Sequence, residues 1–116
     1  MKEKIKYIEI PTIGEYLVEE WLEPLKMSQN ALARAIGVPQ NRINEIVNNK
    51  RGVSAETDLL LCRYFGMSDG FFTRMQSGFE ETLARRKLKE KLAKIVPYDH
   101  GHANDDDEDE PELMRM

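Results

Sequence analysis

Gln40, Asn41, Arg42, Asn44 and Glu45 fill a six-residue stretch interrupted only by Ile43. Their side chains are the ones that read base edges. A Gln or Asn amide pairs with adenine N6 and N7, Arg donates twice to guanine O6 and N7, and Glu accepts from cytosine N4. We therefore expect Gln40, Asn41, Arg42 and Glu45 to contact bases. Gln29, Asn44, Lys50 and Arg51 are suited to phosphate oxygens, through amide or cationic donors. From Lys26 to Gly52 the chain carries Lys26, Arg34, Arg42, Lys50 and Arg51 against Glu45 alone, a net +4 in a protein whose total is −4. Such a patch would draw in DNA. The competing explanation is that these polar residues only solvate a surface helix.

Reading a groove requires these groups to stand outward on one helix, and the surrounding residues supply that frame. Ser28 is an N-cap type, and Leu32 and Ile36 share a face of the helix after it. Ala33 is small enough for a second helix to approach closely. Gly37 permits the positive φ of a tight turn, and Val38 then points inward. Pro39 suits a first helical position. Ile43 and Ile46 would meet Leu32 and Ile36 across the contact. The pattern is a helix-turn-helix, whose second helix lies in the major groove.

The rest of the chain reads as helix. Thr12 and Glu15 have capping-box spacing, followed by Leu17, Val18, Trp21 and Leu22, with Pro24 as the stop. Ser54 opens a helix containing Leu59, Leu60, Cys62, Tyr64 and Phe65, closed by Gly66. Ser68 is expected to cap a short helix with Phe71, Phe72 and Met75. A longer helix runs from about Phe79 to Ile95, with Leu83, Leu88 and Leu92, and Pro97 ends it. The sum is an all-α protein of five helices plus a C-terminal helix. The divisions are an extended arm over 1–11 (with a short strand as one option), a DNA-binding domain over 12–78, a C-terminal helix over 79–96, and an acidic tail over 97–116.

Charge is segregated. Residues 1–96 hold 16 basic and 13 acidic residues, whereas 97–116 hold 1 basic and 8 acidic. The tail, with NDDDEDEPE, is poor in core formers and reads as disordered. It could solubilise the chain, mimic a nucleic acid, or bind metal through His100 and His102; floppy carboxylates fit the last poorly. Cys62 is the only cysteine, so no intrachain disulfide forms. It reads as a small buried hydrophobe in a reducing cytoplasm. No signal peptide or membrane-spanning run is evident. No nucleophile, base or zinc-ligand spacing suggests an enzyme, and no cofactor or metal is expected.

Residues 28–52 resemble the helix-turn-helix of the Xre/Cro-like repressor superfamily. The run NRINEIVNNKRGVSAETDLLLCRYFGMSDGFF, residues 41–72, is similar to the HigA-type, or VapI-like, antitoxin stretch NRINEIVNGKRGITADTALRLARYF followed by a capped S-x-x-F-W. Upstream, GEYLVEEWLEPLKMSQNALARAIGVP, residues 14–39, resembles PGEILREEFLEPLGLSQNALA. The similarity spans about residues 10–85. Three departures stand out: Thr12-Ile13 for His-Pro, Asn49 for Gly, and Phe72 for Trp. The resemblance implies a lambda-repressor-like fold and a bacterial type II antitoxin. Such proteins bind a small, basic RelE-like endoribonuclease toxin and repress their own operon as dimers.

A single helix-turn-helix reads few base pairs, so a homodimer on a pseudo-palindromic operator is expected, with half-sites about 34 Å apart. Leu83, Leu88 and Leu92 are the favoured seam. Phe71, Phe72 and Met75 are the second option, though the monomer core claims them more readily. The alternatives are an Xre-family repressor, orphan or phage-type, with no toxin, and an interaction module that has lost DNA binding.

Overall fold

The computed structural model describes residues 9–99. Six helices and no strand occur among the described residues. The first, α1 (13–25), comprises α-helical Ile13–Leu17, a π-helical turn Val18–Leu22 and a last turn Glu23–Leu25. The others are α2 (Gln29–Ile36), α3 (Gln40–Val47), α4 (Ala55–Phe65), α5 (Phe71–Lys87) and α6 (Lys89–Lys94). No described helix is long and apolar enough to cross a membrane. The arm over 1–8 and the tail from His100 onward lie outside the described residues, so the expected strand and the three tail readings have no structural counterpart here. Within the arm, Glu9, Ile10 and Pro11 belong to no helix or strand.

The caps follow the sequence at three starts. Thr12 Oγ1 accepts from Glu15 N–H and Glu15 Oε1 accepts from Thr12 N–H, both at 3.0 Å. Ser28 and Ser54 likewise accept from the third residue of α2 and α4. Pro24, however, does not stop α1. The π turn before it satisfies Glu23 N–H through Val18 C=O and loosens the spiral where the proline ring would crowd the preceding turn. The helix ends instead at Lys26, in the left-handed region at φ 55°. The same π turn helps bring Leu17 and Leu22, five apart, into the core together.

Two boundaries differ from expectation at the C-terminal side. Phe71 to Lys87 forms one helix, unbroken across residues 78 and 79, and the interruption falls at Leu88. Gly78 is tolerated mid-helix because Phe79 packs on Tyr16, ring centroids 6.0 Å apart, and carries the helix along the core. The cap of α5 also differs. Gly70 occupies the N-cap position, and the carboxylate that serves it is Asp58, twelve residues back on α4. At α3, Pro39 is the N-cap with extended backbone, so the helix proper starts at Gln40.

The core gathers Ile13, Leu17, Leu22, Leu32, Ala33, Ile36, Ile43, Ile46, Val53, Leu61, Cys62 and Phe72, contributed by α1 to α5 and the loop after α3. Each large aliphatic or aromatic side chain so buried contributes about 1.5–3 kcal/mol. On α4 the inward residues are Thr57, Asp58, Leu61 and Cys62, whereas Leu59, Leu60 and Tyr64 are exposed. Cys62 is fully buried. Phe72 is in the core, and Phe71 and Met75 pack half-buried against it.

Candidate nucleic-acid interface

α2 and α3 pack against each other more extensively than any other pair of separate helices. Leu32, Ala33, Ile43 and Ile46 have no exposed surface, and Ile36 is buried beside them. Val38 is half-buried against this cluster. Gly37 sits at φ 76°, and the turn closes through Gly37 N–H to Arg34 C=O at 3.3 Å and Val38 N–H to Ala33 C=O at 3.0 Å. That is a Schellman stop, which needs one left-handed residue.

With Ile43 and Ile46 turned in, a step of about 100° per residue places Asn41, Asn44, Glu45 and Asn48 on the opposite side of α3. Gln40 and Arg42 flank them. Gln40, Asn41 and Asn44 are exposed, while Arg42 and Glu45 are half-buried. Several of these groups are already engaged. Asn44 Nδ2 donates to Gln29 Oε1 at 3.3 Å, tying the outward face of α3 to the start of α2. Asn48 Nδ2 donates to the Asn44 carbonyl at 3.0 Å. Arg51 Nε donates to Glu45 Oε1 at 2.8 Å, so the one carboxylate of the patch is paired with one of its cations. Arg42 and Lys50 make no side-chain ion pair among the described residues.

The loop after α3 ends that helix as Gly37 ends α2. Asn49 N–H donates to Ile46 C=O and Lys50 N–H to Glu45 C=O, with Asn49 at φ 61°. Past Lys50 and Arg51, the Gln76 side chain of α5 grips the Val53 backbone in both directions. Its Oε1 accepts from Val53 N–H at 2.8 Å and its Nε2 donates to Val53 C=O at 3.1 Å.

Three residues that position this surface escaped the sequence reading. Gly14 on α1 lies against the C-terminal carbonyls of α3, where a Cβ would overlap Ile46 O and sit 2.8 Å from Val47 O. A glycine just inside a capped helix is a legible hint of close approach. Gln76 has no such hint, because one amide on a helix has no sequence sign of its partner. Asp58 accepts from Gly70, Phe72 and Thr73 N–H at 2.7, 2.8 and 3.0 Å. An acidic residue in the first turn of a helix carries no sequence sign of partners twelve to fifteen residues on.

A helix-turn-helix family model matches residues 18–72. Virulence-associated protein I of Dichelobacter nodosus is 42% identical over 91 residues, covering 77% of this chain and 83% of that protein. The Pseudomonas aeruginosa antitoxin HigA, solved with the higBA promoter, superposes with TM-score 0.68 at 33% identity, over 77% of this chain and 98% of that one. This chain belongs to the HigA family of helix-turn-helix proteins. A second P. aeruginosa structure, solved in complex with 18-bp operator DNA, gives TM-score 0.71 at 33% identity over 79% of this chain and 100% of that one.

The departures from the HigA-family pattern have structural reasons. Asn49 stands where glycine is usual, at a left-handed position that Asn tolerates better than most side chains. Thr12 replaces His as a capping-box residue. Phe72 replaces Trp at a fully buried site facing Trp21, with ring centroids 5.8 Å apart.

Leu83, Leu88 and Leu92 lie on α5, at its break and on α6, and are 47%, 38% and 46% exposed. Ile95, Val96 and Tyr98 beyond them are more exposed still.

Proposed function

We propose that this chain is a sequence-specific DNA-binding regulator that acts in the cytoplasm as the antitoxin of a type II module. It neutralises a small basic endoribonuclease of RelE type and represses its own operon. The observation that carries the DNA-binding part is the outward face of α3, with Gln40, Asn41 and Arg42 at the N-terminal end that enters the groove. Gln29 supports phosphate contact. Its Oε1 accepts from Asn44, which leaves its amide N–H groups as donors beside the α2 N-terminus. Lys50 and Arg51 flank the other end. The relatives solved on promoter or operator DNA support the same reading.

The protein works as a homodimer on a pseudo-palindrome. Exposed Leu83, Leu88 and Leu92 support a seam on the C-terminal helices, because monomers rarely leave a run of large apolar groups uncovered. Neutralisation of a toxin rests on family membership.

The test is twofold. The purified chain should shift a duplex from the DNA immediately upstream of its own gene at concentrations where a random duplex stays free. Co-expression with a neighbouring small reading frame should rescue growth and yield a complex on pull-down. Failure of the shift would remove the regulator reading. A shift without any toxic neighbour would leave a repressor with no toxin.

A further inference from the structure

We propose that Glu45 is a positioning residue: it holds the Arg51 guanidinium by its Nε edge so that the terminal amino groups meet a DNA phosphate, and it does not itself read a base. This deepens the DNA-binding reading above and rests on it.

The contact is one-edged. Arg51 Nε lies 2.8 Å from Glu45 Oε1. A guanidinium has five N–H donors in a rigid plane, and this contact uses the single one on Nε. The four on Nη1 and Nη2 make no hydrogen bond among the described residues. A phosphate can therefore be taken by the free end without breaking the grip at the other. Lysine could not do this, because an ammonium on a flexible stem does not hold two partners in one plane.

The backbone keeps the two residues in register. Lys50 N–H donates to Glu45 C=O at 2.8 Å, so the residue preceding Arg51 is already bound to the residue that holds its side chain. Two residues further, Gln76 fixes Val53. The side chains remain accessible, 47% exposed for Arg51 and 32% for Glu45. Pairs this open contribute little to folding stability, so stability does not account for the arrangement.

Electrostatics point the same way. A bare carboxylate on a face that approaches a polyanion is repelled, and pairing with Arg51 offsets that repulsion locally. The Arg51 contact uses Oε1, so base reading would fall to Oε2, and a changed preference at one base pair would reveal it. The sequence expectation of two independent contacts, Glu45 to a base and Arg51 to a phosphate, becomes one coupled unit.

The test is a double-mutant cycle on duplexes from the DNA upstream of the gene and on random duplexes, across a salt series, with thermal melting to verify folding. E45A and R51A should each weaken binding to both duplexes, by about tenfold, and each should lower the salt slope by about one. E45A/R51A should lie within about twofold of R51A alone. R51K, which keeps a cation for phosphate without the planar two-edged geometry, should keep most of the salt slope and lose the coupling to residue 45, and E45Q, which retains an acceptor without the charge, should fall between wild type and E45A. Additive losses would overturn the proposal. So would tighter binding by E45A, which would mark Glu45 as merely repulsive, or an altered preference at one base pair with the slope intact, which would mark it as a base reader. A wild-type chain that binds neither duplex would overturn the DNA-binding reading and this inference together; one that binds, with uncoupled variants, overturns the inference alone.

Discussion

Gly14 of α1 backs directly onto the carbonyl of Ile46 in α3, with no room between them for a methyl group. α3 thus takes its seating from α1 as well as from α2. Elsewhere in a helix, Gly→Ala stabilises by about 1 kcal/mol. Here Gly14→Ala should instead destabilise by about 1–3 kcal/mol, the usual cost of overpacking. Urea denaturation measures it, and an unchanged or raised midpoint would contradict the close approach.

Asp58 links α4 to the start of α5 through three backbone N–H donors, and it is buried. Asp58→Ala would leave those donors without an acceptor inside the protein. A loss of about 2–4 kcal/mol is expected, larger than for an exposed cap. Hydrogen exchange should show the first turn of α5 losing protection. Retained protection there would mean that the carboxylate is dispensable.

Asn49 supplies the left-handed residue after α3. Asn49→Ala should cost about 1 kcal/mol, because a Cβ without a compensating polar group is disfavoured there. Asn49→Gly should be neutral or stabilising. If both variants melted at the same temperature, the backbone account of this position would be wrong.

Gln40 and Arg42 stand at the N-terminal end of α3, whereas Lys50 lies in the loop beyond its C-terminal end. Gln40→Ala or Arg42→Ala should weaken operator binding by about 1–3 kcal/mol and relax sequence preference. Lys50→Ala should weaken operator and random DNA alike and flatten the salt dependence. Competition titrations on the two duplexes separate these outcomes. Equal losses on both duplexes for Gln40→Ala would place base reading elsewhere.

Leu83, Leu88 and Leu92 face solvent in the single chain. Replacing all three by Ser should leave the melting curve of the monomer fold nearly intact and convert a dimer to a monomer. Sedimentation at tens of micromolar protein reads this directly. A wild-type monomer at that concentration would refute the seam.

Local rules were enough for much of this molecule. Thr12, Ser28, Ser54, Gly37 and Gly66 act on backbone groups within a few residues of themselves, so short-range geometry announces them. The inward stripe of Leu32, Ile36, Ile43 and Ile46 follows from helical periodicity, and with it the outward direction of Asn41 and Asn44. Only the assembled chain could decide the rest, because those decisions depend on groups distant in sequence. Asp58 became the cap of α5 because folding carries it to Gly70, and Ser68, though nearer in sequence, was passed over. Phe79 packing on Tyr16 joined two expected helices into one across Gly78. Glu45 and Arg51 each looked like a separate DNA contact, and the turn at Asn49 folded one onto the other. Periodicity shows which way a side chain points; what it meets there depends on where the rest of the backbone has gone.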